Sequence, residues 1–442
     1  MPEAPTALPG SSIELERRSR SSHSVPGTQL APVAQVMPPD AQVPDGGYGW
    51  VVVFACAALA RWFVGTSYSW GLIQAALVED GLFSASTLSF VGSSAAACVS
   101  GLALINARVI RFLGVRRTAL LGIFFIGLGQ VLSGFAMLNI GTLFVTAGAI
   151  TGIGTSLCFT VVSVIPAQYF STKRGLANGI IFAGGGLGGA VTSFAINSLI
   201  QSLGPAWTFR IIGLITLATG LPAAWLIKER TAIRTTGFIE WSLFHDLRFV
   251  VLFFVGAVGT FPLYVPPFFL PLYAASLGLT PSTSAALVAG FNFSSAMGRL
   301  TCGFASDLIG PVNVLFLVFL LGAVSMLAIW PVSTSLAPLV LFVVINGAAN
   351  GGFFSTMPTV VGGVFGAARV GVAMGMIVTG WFGGYLMGAP IAGYLLSAYG
   401  GADSTLEAYH PAMFYAGSMA MGAAGLVSLV RLKTSTNIFI KV

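Results

Sequence analysis

The chain has 442 residues, of which 56% are hydrophobic and only 7% charged, and it carries a formal net charge of +7. A soluble domain needs roughly 25% charged residues to coat its surface, so this composition excludes a water-soluble fold and requires lipid around the outward faces. The 56 glycines suit close contact between membrane helices, whereas each would weaken a soluble helix by about 1 kcal/mol.

Residues 1–43 are polar and rich in Pro and Ser, and they predict a disordered cytoplasmic tail. No signal-peptide core precedes the first apolar run, so the first span is expected to direct insertion itself. From Pro44 onward the apolar runs predict twelve transmembrane helices. They cover 49–78, 83–107, 118–137, 141–166, 175–201, 206–227, 249–276, 281–305, 312–330, 336–365, 370–398 and 411–430. Most reach the ~20 residues that cross a bilayer. The expected organisation is an N-terminal six-helix half at 44–227, a cytoplasmic tether at 228–248, a C-terminal half at 249–430 and a short cytoplasmic tail at 431–442.

Alternate loops divide by charge. One set holds Arg108, Arg111, Arg116, Arg117, Lys173, Arg174, Lys228 and Arg230, and the other holds Glu79, Asp80, Asp403 and Glu407. The excess of Lys and Arg puts both termini in the cytoplasm and accounts for the positive net charge without nucleic acid. Arg61, Arg210 and Arg299 remain, each within or at the edge of a span.

An internal repeat supports two parallel halves. Residues 174–189 and 369–384 align at Arg174/Arg369, Gly185/Gly380, Gly188/Gly383 and Gly189/Gly384, at the openings of spans five and eleven. Gly114 and Gly310 stand at nearly the same offset, after spans two and eight. Parallel repeats of this kind place a substrate site at the interface of the halves, near the membrane midplane.

The four cysteines, Cys56, Cys98, Cys158 and Cys302, sit in apolar runs and read as small buried thiols. No P-loop, zinc spacing or nucleophile elbow is present. The expectation is therefore neither an enzyme nor an ATP-driven pump, with no cofactor and no metal.

Three motifs carry a family resemblance. The first is Asp45-Gly46-Gly47-Tyr48-Gly49-Trp50 at the start of span one. The second is Tyr169-Phe170-Ser171-Thr172-Lys173-Arg174-Gly175 before span five, and the third is Gly298-Arg299-Leu300-Thr301-Cys302-Gly303 with Asp307 in span eight. Together they resemble the monocarboxylate transporter family of the major facilitator superfamily, in its fungal branch. The resemblance implies an all-α, twelve-helix fold in a plasma membrane that carries a small organic anion such as a monocarboxylate, often with a proton as co-substrate. The chain departs from that pattern at two places. Ser295 stands where the animal members carry an acid one turn before Arg299, and the stretch around Tyr68 and Trp70 replaces a Lys near the outer end of span one. Both departures weaken the case for proton coupling, as does the placement of all 13 acidic residues in the tail, the loops or the span ends.

The expected substrate contacts are Arg299, with Asn292 and Ser295 on its helix face, Arg61, and the aromatic residues Tyr68, Phe261 and Tyr264. Arg61 lies about 18 Å into the membrane at 1.5 Å per residue, too deep to snorkel easily, and shares a face with Tyr68; a structural Arg at a helix break near Gly65 is the competing reading. Asp45, Gly46, Gly47, Trp50, Lys173, Arg174 and Asp307 are expected to anchor or gate the spans. On physical grounds alone the glycines and aromatics opening span one favour an anchor. Asn292, although it opens a glycosylation sequon, is expected to stay unmodified inside span eight. Two other functions remain open: export or facilitation of a neutral or aromatic metabolite, and a transport-dead sensor on the same fold.

Overall fold

A computed structural model describes residues 46–170, 174–230, 240–365, 370–402 and 405–434. The tail at 1–43, Asp45 and Lys173 lie outside the described residues, as do the side chain of Arg174 and all of Arg369.

The spans are Tyr48–Glu79, then Ala85–Gly101 continued at an angle by Ala103–Leu113, then Val115–Ala136 and Ile140–Val164. Arg174–Leu226 is two spans, five and six, parted by the non-helical Gly204. Span seven is Leu247–Gly259 and Val265–Ser276, and span eight is Pro281–Ile309. Then come Pro311–Ile329, Leu336–Phe365, Val370–Gly380 with Phe382–Ala398, and His410–Thr434. Span eight carries enough Ser, Thr and Asn to fall below the apolarity of its neighbours, and Ser284, Asn292, Ser294, Ser295 and Ser306 among them are buried.

Two expected helices differ from their predicted form. Span two bends by 61° at Leu102 and runs on to Leu113, because the second piece is amphipathic and leaves Phe112 90% exposed. Span seven is not continuous: residues 260–264 leave the helix. Pro262, Pro266, Pro267 and Pro271 crowd this stretch, and each removes a backbone donor.

The repeat is written in the backbone. Glycines with positive φ pair across the chain as Gly81 with Gly278, Gly114 with Gly310 and Gly204 with Gly400. Each pair ends equivalent helices, where only Gly adopts this conformation without strain. Span five lies between spans one and eight: Gly188 seats the stem of Arg61, and Gly186 faces the backbone of Asn292. Span eleven repeats this between spans seven and two, with Gly384 against Thr260 and Gly393 against Ser86. Large apolar side chains such as Phe135, Leu214, Phe304 and Leu321 stay exposed on the outside of the bundle, as a lipid-facing surface requires.

The described residues of the motif at the start of span one pack against spans four to six and the segments beside them. Gly47 takes φ +60°, and Gly49 lies against the Phe170 ring. Trp50 packs edge-on to Phe170 at 4.9 Å. Tyr48 donates to the Leu226 carbonyl at 2.7 Å and lies 4.6 Å from Lys228 Nζ. Tyr48→Phe should therefore lower thermal stability by only about 1 kcal/mol, the net worth of one exposed hydrogen bond, and leave transport intact.

Candidate functional site

The break in span seven prepares the site. Pro267 has no N–H to give the Leu263 carbonyl, so Asn350 of span ten supplies the donor, from Nδ2 at 2.9 Å. Asn350 Oδ1 accepts from the Tyr68 hydroxyl of span one at 2.8 Å. The break also turns Tyr264 sideways, with its ring 5.4 Å from Tyr68 and 5.5 Å from Tyr385 of span eleven. Phe291 of span eight lies 6.0 Å from Tyr68, and Trp381 lies 6.0 Å from Tyr385.

Arg299 stands among these rings. It is 3% exposed. Its Nη1 donates to the Phe182 carbonyl of span five at 2.6 Å. The Phe354 and Phe182 rings face its central carbon at 5.4 and 5.8 Å, while Nε is buried without a partner. A mid-membrane Arg costs ~2.5–3.5 kcal/mol by insertion scales. One hydrogen bond to a charge contributes about 1.5–3 kcal/mol, and each desolvated ring contributes up to about 2 kcal/mol. The protein thus holds the cation buried at little net cost, with no acid beside it among the described residues.

The other predicted contacts divide. Asn292 is fully buried, donates to the Val288 carbonyl at 3.1 Å, and leaves Oδ1 unpartnered beside Gly189. Its burial inside span eight agrees with its expected freedom from glycosylation. Asn292 and Arg299 both face span five. The Ser295 backbone lies against Gly351 of span ten, and its hydroxyl is buried without a partner, so it makes no bond to Arg299. Phe261 is half-buried and packs its backbone against Gly384 and Gly388, so no ring contact ties it to the cluster. Trp70 points away from the cluster, donating to the Leu88 carbonyl of span two at 3.1 Å. Arg61 is half-buried, with Nε unpartnered and its guanidinium 5.0 Å from the Trp62 ring. Asp307 is exposed near the end of span eight.

Sequence reasoning missed Asn350, Tyr385, Trp381, Phe182, Phe354 and Phe291. The paired Pro266–Pro267 was the available signal, since it leaves carbonyls that a buried amide must satisfy.

The chain matches the Major Facilitator Superfamily family model over residues 50–275 and 252–438. The chain belongs to that superfamily. Among its relatives, an aspyridones efflux protein of Emericella nidulans is 30% identical over 392 residues, which span 86% of this chain and 78% of the relative. An agnestins efflux protein of Paecilomyces divaricatus is 29% identical over 86% of each chain. A bacterial homolog to the human lysosomal transporter Spinster, solved in an inward-facing and occupied conformation, shares the fold at a TM-score of 0.71 and 16% identity, over 89% of this chain and all of that one.

This facilitator is a multi-pass membrane transporter with the twelve-helix fold. Its candidate site draws Tyr68 and Phe182 from spans one and five, and Tyr264, Phe291, Arg299, Asn350, Phe354 and Tyr385 from spans seven, eight, ten and eleven. Side chains from both repeats therefore meet at one cation.

Proposed function

We propose that the chain exports a small, flat aromatic or conjugated molecule bearing an acidic oxygen, by alternating access between the halves 44–227 and 249–430. The observation that carries this reading is Arg299, a buried guanidinium faced by aromatic rings. Such a cation prefers an anionic oxygen to a backbone carbonyl, because charge-assisted bonds are about twice as strong as neutral ones. The rings give flat apolar surface at low entropic cost. The efflux names of two relatives support the export direction, and the likeness of three motifs to monocarboxylate transporters supports the anion. With both termini in the cytoplasm of a plasma membrane, substrate enters at the Tyr48 end of span one.

Arg61 is proposed as a second contact for the anion on that path, and Asp45, Lys173, Arg174 and Asp307 as charges at the mouth. Proton coupling through a mid-membrane carboxylate is not expected, since Glu79, Asp80 and Asp307 all lie exposed at span ends. The second reading, a neutral aromatic metabolite, is favoured by the three tyrosines Tyr68, Tyr264 and Tyr385.

The test is flux in vesicles of a panel of aromatic carboxylates and neutral aromatics, with and without a pH gradient. Movement of the carboxylates without a steep pH response supports the proposal, and Arg61→Gln should then weaken their apparent affinity by roughly tenfold, the worth of ~1.4 kcal/mol. Movement of the neutral compounds alone supports the second reading.

A further inference from the structure

Two asparagines stand one turn apart on span ten and have unequal partners. Asn350 bridges the Leu263 carbonyl and the Tyr68 hydroxyl. Asn346 is 1% exposed; its Nδ2 donates to Ser325 Oγ at 2.8 Å, while its Oδ1 has no partner. The Ser325 hydroxyl is itself committed to the Gly322 carbonyl at 2.7 Å, so it cannot turn to serve that oxygen. Both amides line one small cavity of about 20 Å³, room for about one water, among spans seven, nine, ten and twelve, together with Leu263 and Phe353. A buried acceptor without a donor is costly, and the donor nearest along this helix face is the amide of Asn350, four residues on.

We propose that Asn350 is a positioning residue that couples the Arg299 site to the break in span seven, by exchanging its amide between the Leu263 carbonyl and Asn346 Oδ1. In the first position it pins the break and holds Tyr68. When a substrate anion takes the Tyr68 hydroxyl and the Arg299 guanidinium, Asn350 Oδ1 loses its donor. The side chain then turns into the cavity and donates to Asn346. The Leu263 carbonyl is released, and Pro267 offers no replacement, so span seven bends at residues 260–264. The two discrete arrangements make this a two-state element rather than a path of contacts. The trigger rests on the function proposed above; the exchange itself does not.

The exchange is read without substrate, by hydrogen–deuterium exchange of the full chain in nanodiscs, at the amides of residues 260–268. Asn350→Ala should speed exchange there about tenfold. Asn346→Leu should slow it severalfold, because the competing acceptor is gone and Asn350 stays on Leu263. The double variant should match Asn350→Ala. If Asn346→Leu speeds exchange or leaves it unchanged, the proposal is overturned, since a merely structural Asn346 would loosen the bundle. If Asn350→Ala fails to fold, Asn346→Leu alone decides. Failure of the substrate reading would show separately, as unaltered transport by an Arg299 variant.

Discussion

Arg299→Gln is expected to slow transport of an anionic aromatic substrate by roughly ten- to hundredfold, the worth of a hydrogen bond to a buried charge. Its thermal midpoint should stay nearly unchanged. These two outcomes together separate a binding cation from a structural one. A structural Arg contributes to stability through its partners, so its removal would lower the midpoint. Here the partners are one carbonyl and two ring faces, at Phe182 and Phe354. Burying that charge costs ~2.5–3.5 kcal/mol, about what these partners return, so its replacement by a neutral amide should change stability little. Arg299→Lys should not rescue fully, because an ammonium lacks the planar fork that meets both a carboxylate and the flanking rings. Flux and thermal unfolding of the same purified variants check both halves of the expectation.

The second large effect is expected at Gly71, where span one touches span seven. A Cβ added there would collide with the Pro267 carbonyl oxygen and lie 3.0 Å from Phe268 Cα. Both are backbone atoms and neither can swing away. The Pro267 carbonyl itself is free to face Gly71 because Pro271, four residues on, has no N–H for it. Gly71→Ala should therefore disfavour the conformation in which these two spans meet, by the ~1–3 kcal/mol typical of overpacking. The equilibrium would move toward opening at the Glu79 end, and turnover would fall because one limb of the cycle is lost. Spin labels at Glu79 and Thr280, both exposed, should report a longer distance in Gly71→Ala than in wild type. Gly351→Ala is the control. Its Cβ would meet Ser295 within one six-helix repeat, so it should lower stability without altering that distance.

Much of the fold was legible because lipid imposes a simple pattern. Apolar runs near the length of a bilayer, glycines at matching offsets and a one-sided Lys/Arg distribution are linear signals. Gly114 and Gly310 illustrate this, since both adopt positive φ at equivalent helix ends. The break in span seven was missed because its prolines sit in an unbroken apolar run, and hydropathy does not record a lost N–H. Of the cluster, the sequence reading reached Tyr68, Tyr264 and Arg299, a charge in span eight whose depth made it conspicuous. Its companions are ordinary Tyr, Phe and Asn residues on five other spans. Their meeting depends on packing, as with Asn350, which reaches Tyr68 across 282 positions of sequence. Ser295, which spacing places near Arg299, meets Gly351 through its backbone and makes no hydrogen bond to the guanidinium.

The most direct measurement of the central claim is vesicle flux of matched pairs, each an aromatic carboxylate and its amide of the same shape. Wild-type protein should move the acid at least tenfold faster than the amide at equal concentration. Arg299→Gln should bring the two rates together by slowing the acid alone. Equal rates for acid and amide in the wild type, or an unchanged preference in Arg299→Gln, would contradict the assignment of Arg299 as the substrate's partner.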